Sequence, residues 1–161
     1  MAAKKPTKKP KDAIALLKED HEKVRGLLAS LEKTGDKAKD RRVTLLEKIS
    51  KELMIHTTIE EEIFYPAYHE AAQAKEDKKI YFEANEEHSV VKMYLPRVQS
   101  GELSGEKFTA EAKVLRELVE HHAKEEEKEM FKRAKKFLSK DELVDLGARM
   151  AARKRQLQRE G

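Results

Sequence analysis

The chain has 161 residues, 41% charged and 39% apolar, a net charge of +4 and no cysteine. That length suits one domain with a real core, and the missing cysteines exclude disulfides, thiolate metal sites and cysteine nucleophiles. The positive charge sits at the ends: residues 1–11 hold five lysines and no acid, residues 149–161 five basic residues and one acid, so the body is acidic and unsuited to nucleic acid.

Residues 1–11 (MAAKKPTKKPK) carry Pro6 and Pro10 and no apolar stripe, and read as a disordered basic tail. A first helix starts near Asp12, with its stripe at Ile14, Leu17, Val24, Leu28 and Leu31. Thr34-Gly35-Asp36 ends it, with Gly35 placed as a C-terminal cap. A second runs from about 39 into the 60s through Leu45, Leu46, Ile49, Leu53, Ile59 and Ile63, until Pro66 ends or kinks it. A third covers roughly 78–100, with Tyr81, Ala84, Val91 and Leu95 on one face. A fourth covers about 105–137, with Val114, Leu115, Leu118, Val119, Met130 and Phe131. Ser139-Lys140-Asp141-Glu142 matches a capping box and opens a short fifth helix. The pattern predicts an all-α fold: an up-down-up-down four-helix bundle over 12–137, then an additional short C-terminal helix and basic end over 138–161.

Two segments repeat one another. His56 is followed by Glu60, Glu61 and Tyr65, and His122 by Glu126, Glu127 and Phe131, at equal spacings. A His and a Glu four residues apart share a helix face. Two such pairs on facing helices can enclose two metal ions. His21 and His88 fall in the stripes of the first and third helices, so each long helix aims one His at the core. His69 and His121 fall off these stripes and are expected at the surface or behind a ligand. Of the other glutamates, Glu61 and Glu127 are the ones expected to approach the site. Imidazole and carboxylate suit iron, manganese or zinc. No His-Glu-x-x-His, phosphate loop or G-x-S-x-G is present, and no histidine has a Glu three residues before it.

These pieces resemble the hemerythrin-like proteins, the HHE cation-binding domains of bacteria. The match runs through Leu16-x-x-x-Asp20-His21-Glu22, His56-x-x-x-Glu60-Glu61-x-x-Phe64-Tyr65-Pro66, Glu87-His88 and His122-x-x-x-Glu126-Glu127. The resemblance covers roughly 12–137. It implies a bundle holding two non-haem irons, oxo- or hydroxo-bridged, and it selects iron over manganese or zinc. By the same resemblance Glu60 and Glu126 bridge the irons, His21 and His56 bind one, and His88 and His122 bind the other. One position departs. Oxygen carriers of the family have a second His four residues after the first on the third helix, and this chain has Lys92. Either one iron keeps an open position, or Tyr65, Tyr81, Tyr94 or a flanking Glu fills it.

The functions implied are binding of O2 or decomposition of peroxide in oxidative stress, a catalase-like activity. The alternative is an O2, nitric oxide or iron sensor, or an iron buffer without turnover. The chain lacks an apolar run long enough for a membrane span and a signal-peptide stretch, so the expectation is a cytoplasmic monomer or weak homodimer.

Overall fold

The structure, a computed structural model, describes residues 10–161. Seven α-helices follow one another: α1 Ala13–Glu32, α2 Lys39–Ile59, α3 Tyr65–Ala71, α4 Lys75–Ser100, α5 Gly105–Glu125, α6 Phe131–Phe137 and α7 Lys140–Glu160. A five-residue π turn, Glu60–Phe64, joins α2 to α3, and a second, Glu126–Met130, joins α5 to α6. The described residues contain no strand. None of their helices is long and apolar enough to cross a membrane. The sequence reading of a disordered tail falls mainly on residues 1–9, outside the described part.

Local signals set the helix starts. Asp12 caps α1 by accepting from the Ala15 N–H at 2.8 Å, and Ser139 with Glu142 forms the capping box of α7. The end of α1 differs from the sequence expectation. Gly35 is not a left-handed cap, since Gly105 is the described glycine with positive φ. Arg42 ties the loop instead. Its guanidinium donates to Thr34 Oγ1 (2.8 Å), the Thr34 carbonyl (2.9 Å) and the Leu103 carbonyl (2.7 Å). These bonds join two loops at one end of the molecule, over the ring of Phe108.

The apolar interior forms two clusters. One gathers Ile14, Leu17, Ile59, Phe64, Tyr65 and Phe131, among others. The second gathers Val24, Leu28, Ile49, Leu95, Phe108 and Leu115, among others. α1 runs from the first cluster to the second, α2 back, α4 out again and α5 back. Each crosses between clusters at its histidine: His21, His56, His88, His122. A polar layer thus divides the core. One stripe residue fails to join either cluster: Val114 is exposed, because Leu115 beside it takes the inward position.

The π turns correct the reading of Pro66. The helix neither stops nor needs a break at proline. The Tyr65 N–H donates to the Glu60 carbonyl, five residues back, so the ladder has already changed register. Pro66 then sits in the first turn of α3, where a missing N–H is tolerated. The second turn closes in the same way, from the Phe131 N–H to the Glu126 carbonyl. At uniform α pitch, nine residues is about two and a half turns, which would put Tyr65 opposite His56. The extra residue in the π turn swings it back to the same side. Phe131 returns to the side of His122 for the same reason.

The C-terminal helix is long rather than short: α7 has 21 residues. Leu143, Leu146 and Met150 anchor it in the first cluster, and it packs along α1 and α2. Arg153 holds Glu62 at 2.7 and 3.0 Å. Lys154 pairs with Asp20. The start of α1 crosses α7 at Gly147. A Cβ there would lie 2.7 Å from Asp12 C and 2.8 Å from Ala13 N, against the Lys11 carbonyl as well. Gly147→Ala should therefore destabilise the fold by about 1–3 kcal/mol, since the atoms in the way are backbone. Gly26 faces open space in the middle of α1, so Gly26→Ala should stabilise by about 0.5–1 kcal/mol. Urea midpoints of the two variants should move in opposite directions; equal shifts would mean that α7 does not pack on α1 at Gly147.

Candidate metal centre

The six residues singled out in the sequence converge in the polar layer. His21, His56, His88, His122, Glu60 and Glu126 are each at most 7% exposed. They form two overlapping groups, His21, His56, Glu60 and Glu126, and Glu60, His88 and His122, within which one atom from each residue lies within 4.8 Å of the others. The π turns start at Glu60 and Glu126, and each of these carboxylates reaches the His one turn before it. Glu126 Oε1 lies 3.1 Å from His21 Nε2 and 3.0 Å from His122 Nε2. His88 Nε2 and His122 Nε2 face each other at 3.0 Å.

Each imidazole turns its other nitrogen outward to a carboxylate. His21 Nδ1 meets Glu127 at 3.2 Å, His56 meets Asp20 at 3.1 Å, His88 meets Glu61 at 2.8 Å and His122 meets Glu87 at 3.1 Å. An ionised carboxylate only accepts, so each Nδ1 carries a proton, and Nε2 is the nitrogen turned inward, where its lone pair is the one open to a metal. This is the outer arrangement that orients metal-ligating histidines. Each outer carboxylate is held in turn. Arg25 binds Glu127, Lys154 binds Asp20, Lys92 binds Glu61 and His121 binds Glu87.

The arrangement repeats between halves. The acid just before His21, Asp20, orients His56, and the acid just before His88, Glu87, orients His122. The second Glu of each π turn orients a His of the other half. Arg25 and Lys92 stand four residues after His21 and His88, and each caps one of those glutamates. Lys92 is therefore outside the site: its Nζ lies 2.7 and 2.8 Å from the oxygens of Glu61.

The repeat fails at one place. Tyr65 and Phe131 are equivalent in sequence, but only Tyr65 brings an oxygen. Its hydroxyl donates to Glu126 Oε2 at 2.9 Å and lies 3.1 Å from His88 Nε2 and 3.4 Å from His122 Nε2. Phe131 stacks on His21 instead, centroids 6.0 Å apart. Tyr81 stands behind Tyr65, and Tyr94 packs against the second apolar cluster, away from the site. His69 lies against Tyr81.

Charge is unbalanced. Glu60, Glu126, Asp20, Glu61, Glu87 and Glu127 are met by three permanent cations, Arg25, Lys92 and Lys154. Among the described buried polar atoms, His56 Nε2 and both oxygens of Glu60 lack a hydrogen bond of acceptable geometry, although the two side chains touch. Burial opposes charging of His56, yet Glu60, Asp20 and Glu126 together outweigh it and hold its pKa up at about 10 in the metal-free protein, so a metal binding at Nε2 would displace a proton. Burial likewise opposes charge on Glu126, and His122 holds it well below the usual range. Buried carboxylates this short of partners are costly without a cation. Imidazole lone pairs and carboxylate oxygens are the donors that divalent transition metals take. The cluster can bind metal.

The hemerythrin HHE cation-binding domain matches residues 12–134. The chain belongs to that family. A crystal structure of a hemerythrin HHE cation-binding domain-containing protein from Mycobacterium kansasii superposes with a TM-score of 0.81 at 28% identity, covering 93% of this chain and 89% of that one. No curated protein matches the chain.

The sequence did not point to three members of this hemerythrin-like centre. Asp20 and Glu87 were part of the motif but had no role until the imidazoles turned toward them. Lys154 gave no signal, because its partner lies 134 residues away. Glu61 offers a direct check on the outer ring. The His88 N–H bond, helped by Lys92, holds its carboxyl at about 2, below the ordinary 4.5. A depressed carboxyl contributes stability that is full above pH 4.5 and lost as pH falls toward 2. For metal-free protein, Glu61→Gln should flatten the dependence of the urea midpoint on pH across that window. An unchanged slope would detach Glu61 from His88.

Proposed function

We propose that this chain is a four-helix bundle, extended by α7, that holds two non-haem irons and reacts with peroxide or O2. The observation that carries the reading is the orientation of the four histidines: each Nδ1 is committed to an outer carboxylate, so four Nε2 lone pairs converge on two buried glutamates. His21 and His56 would hold one ion, His88 and His122 the other, with Glu60 and Glu126 between them. Bound iron supplies Lewis acidity and one-electron redox change, which the protein's own side chains lack.

The remaining steps belong to the chain. Asp20, Glu61, Glu87 and Glu127 fix the imidazole tautomers and raise their basicity. Ile59, Phe64, Met130 and Phe131, all but fully buried, keep bulk water from the layer. Tyr65 completes the His88–His122 side. Without a cation, burial and the nearby Glu126 and Glu60 push its pKa well above 10 and keep the phenol protonated. A cation in contact reverses that preference and favours the phenolate. With Lys92 in place of a fifth imidazole and a phenol oxygen beside His88 and His122, the centre we propose would suit turnover of peroxide over reversible O2 carriage.

Two expectations follow from these roles. His56→Ala and Glu126→Ala should each lose at least one iron per chain by metal analysis, and wild-type stoichiometry in both would remove the assignment. Tyr65→Phe should keep its iron but lose the visible phenolate-to-ferric absorption of the aerobically purified protein. If wild-type protein with two irons shows no such absorption, Tyr65 is not a ligand.

A further inference from the structure

The wall around the centre differs between the two halves. A small cavity lies between α4 and the second π turn. Its lining runs from the surface to the centre: Glu83, Glu125 and Glu129 are exposed, while Ala84, Met130 and Glu126 are buried. Its volume is about 20 Å³, room for one water-sized molecule. On the outside it adjoins the groove walled by Phe82, with which it shares Glu83 and Glu87. On the inside it reaches Glu126, the carboxylate 3.0 Å from His122 and 3.1 Å from His21.

The repeat gives these residues counterparts in the other half. Counted from His88 and His21, Ala84 matches Leu17 and Glu83 matches Leu16. Counted from His122 and His56, Glu125 matches Ile59, Glu129 matches Ile63 and Met130 matches Phe64. The counterparts fill their space. Leu16, Leu17, Ile59 and Phe64 belong to the first apolar cluster, Ile63 packs against it, and α7 lies over the same π turn. Half-buried Ile80, in the place of Ala13, is the exchange in the other direction. Where one half has a leucine and two isoleucines, the other has an alanine and two glutamates that turn to solvent.

From this difference we infer that small uncharged molecules reach the centre between α4 and the second π turn, past Ala84, and that anions are held off there. The inference rests on the two-iron reading above and deepens it, because it names the form of substrate admitted: hydrogen peroxide or O2, not hydroperoxide, superoxide or a carboxylate. Size and charge select together. The cavity takes a molecule of about two heavy atoms. Five of its lining residues are glutamates, Glu83, Glu87, Glu125, Glu126 and Glu129, and no lysine or arginine lines it. With Glu126 committed to the metals, four carboxylates remain along the way. Lys79 stands 3.6 Å from Glu83 at the exposed rim, and Arg133, 3.5 Å from Glu129, is held closer by Asp77 at 2.8 Å. Such loose, exposed pairs neutralise little. A lining of one sign raises the cost of a like-charged molecule and leaves a neutral one unaffected.

The test uses the full chain loaded with iron and reduced, in wild-type, Ala84→Leu, Ala84→Val and Val90→Leu forms matched for iron content and helicity. Leucine at 84 copies Leu17 of the other half, and Val90, exposed on α4, is the control. Nitric oxide, an uncharged diatomic probe, is mixed in without air, and its binding and its release into a trap are followed by absorbance. Both rates should fall about tenfold or more in Ala84→Leu, with Ala84→Val between it and wild type and Val90→Leu unchanged. Equal slowing of entry and exit leaves the affinity as it was, which separates a narrowed passage from a damaged centre. Azide, an anion, is then bound to the oxidised protein. Replacing Glu83→Gln and Glu129→Gln together should speed azide binding severalfold at low salt and leave the nitric oxide rates unchanged. Nitric oxide rates unchanged in Ala84→Leu, or slower binding with release unchanged and affinity lost, overturn the route and leave the two-iron reading standing. Equal azide rates in the double variant and wild type overturn the charge selection. Should neither Ala84 variant fold with its iron, the azide comparison decides alone: faster binding places the passage at these glutamates, and equal rates overturn it. Failure of the wild type to take iron removes both readings.

Discussion

The constraint on which the structure depends is the burial of a charged layer between two apolar clusters. Each of α1, α2, α4 and α5 must carry a His, and α2 and α5 must lead into a Glu, in the middle of the core. Those groups cannot be hydrated there, so each needs a partner within the protein. The outer carboxylates and their cations are the answer for the Nδ1 atoms. In the metal-free protein only protons on the imidazoles answer for the negative charge at the centre, and no permanent cation among the described residues reaches Glu60 or Glu126. This is the physical basis for a cation there, and it does not depend on which metal binds.

That constraint also explains the π turns. A regular helix can place His56 and Glu60 inward together, but then Glu61 and Tyr65 fall on other faces. A π turn beginning at the inward Glu adds one residue to the turn. It lets the next Glu reach a histidine of the opposite half and returns the aromatic nine residues on to the core. Insertions of this kind weaken a helix locally and collect at functional sites. Here two occur, at equivalent places, each starting on a buried carboxylate.

Much of this was legible in the sequence and some was not. The inward histidines, Glu60 and Glu126 were readable because their periodicity matches that of Ile, Leu and Val on the same stripes. Glu61 and Glu127 were readable as neighbours of the site, since they adjoin the inward glutamates. The helix start at Ser139 followed from capping chemistry. The path of the chain through Pro66 was not readable, because local propensity treats proline as a stop and cannot register a ladder already shifted by one residue. The length of α7 was hidden as well. Its last turns are strongly basic and resemble a solvated tail until Arg153 and Lys154 meet Glu62 and Asp20, acids distant in sequence. Choosing among Tyr65, Tyr81 and Tyr94 required the fold itself.

The repeat between halves makes its exceptions informative. Two equivalent halves would give two equivalent metal positions. One substitution among the repeated site residues and two contributions of α7 break that equivalence. Tyr65 replaces the ring of Phe131 with one that carries an oxygen. Lys154, a fixed cation from α7, stands on Asp20, while the exposed His121 stands on Glu87. α7 covers the His56 side, and the side of His122 has only the groove walled by Phe82, Glu87 and His121 beyond it. The His21–His56 position is therefore closed, apolar at its back and held by permanent charges. The His88–His122 position has a phenol in contact and an outer acid reached by solvent. The two ends of the layer thus differ in what surrounds them: apolar rings and permanent charges back the one, while the other meets a phenol and an outer acid that solvent reaches.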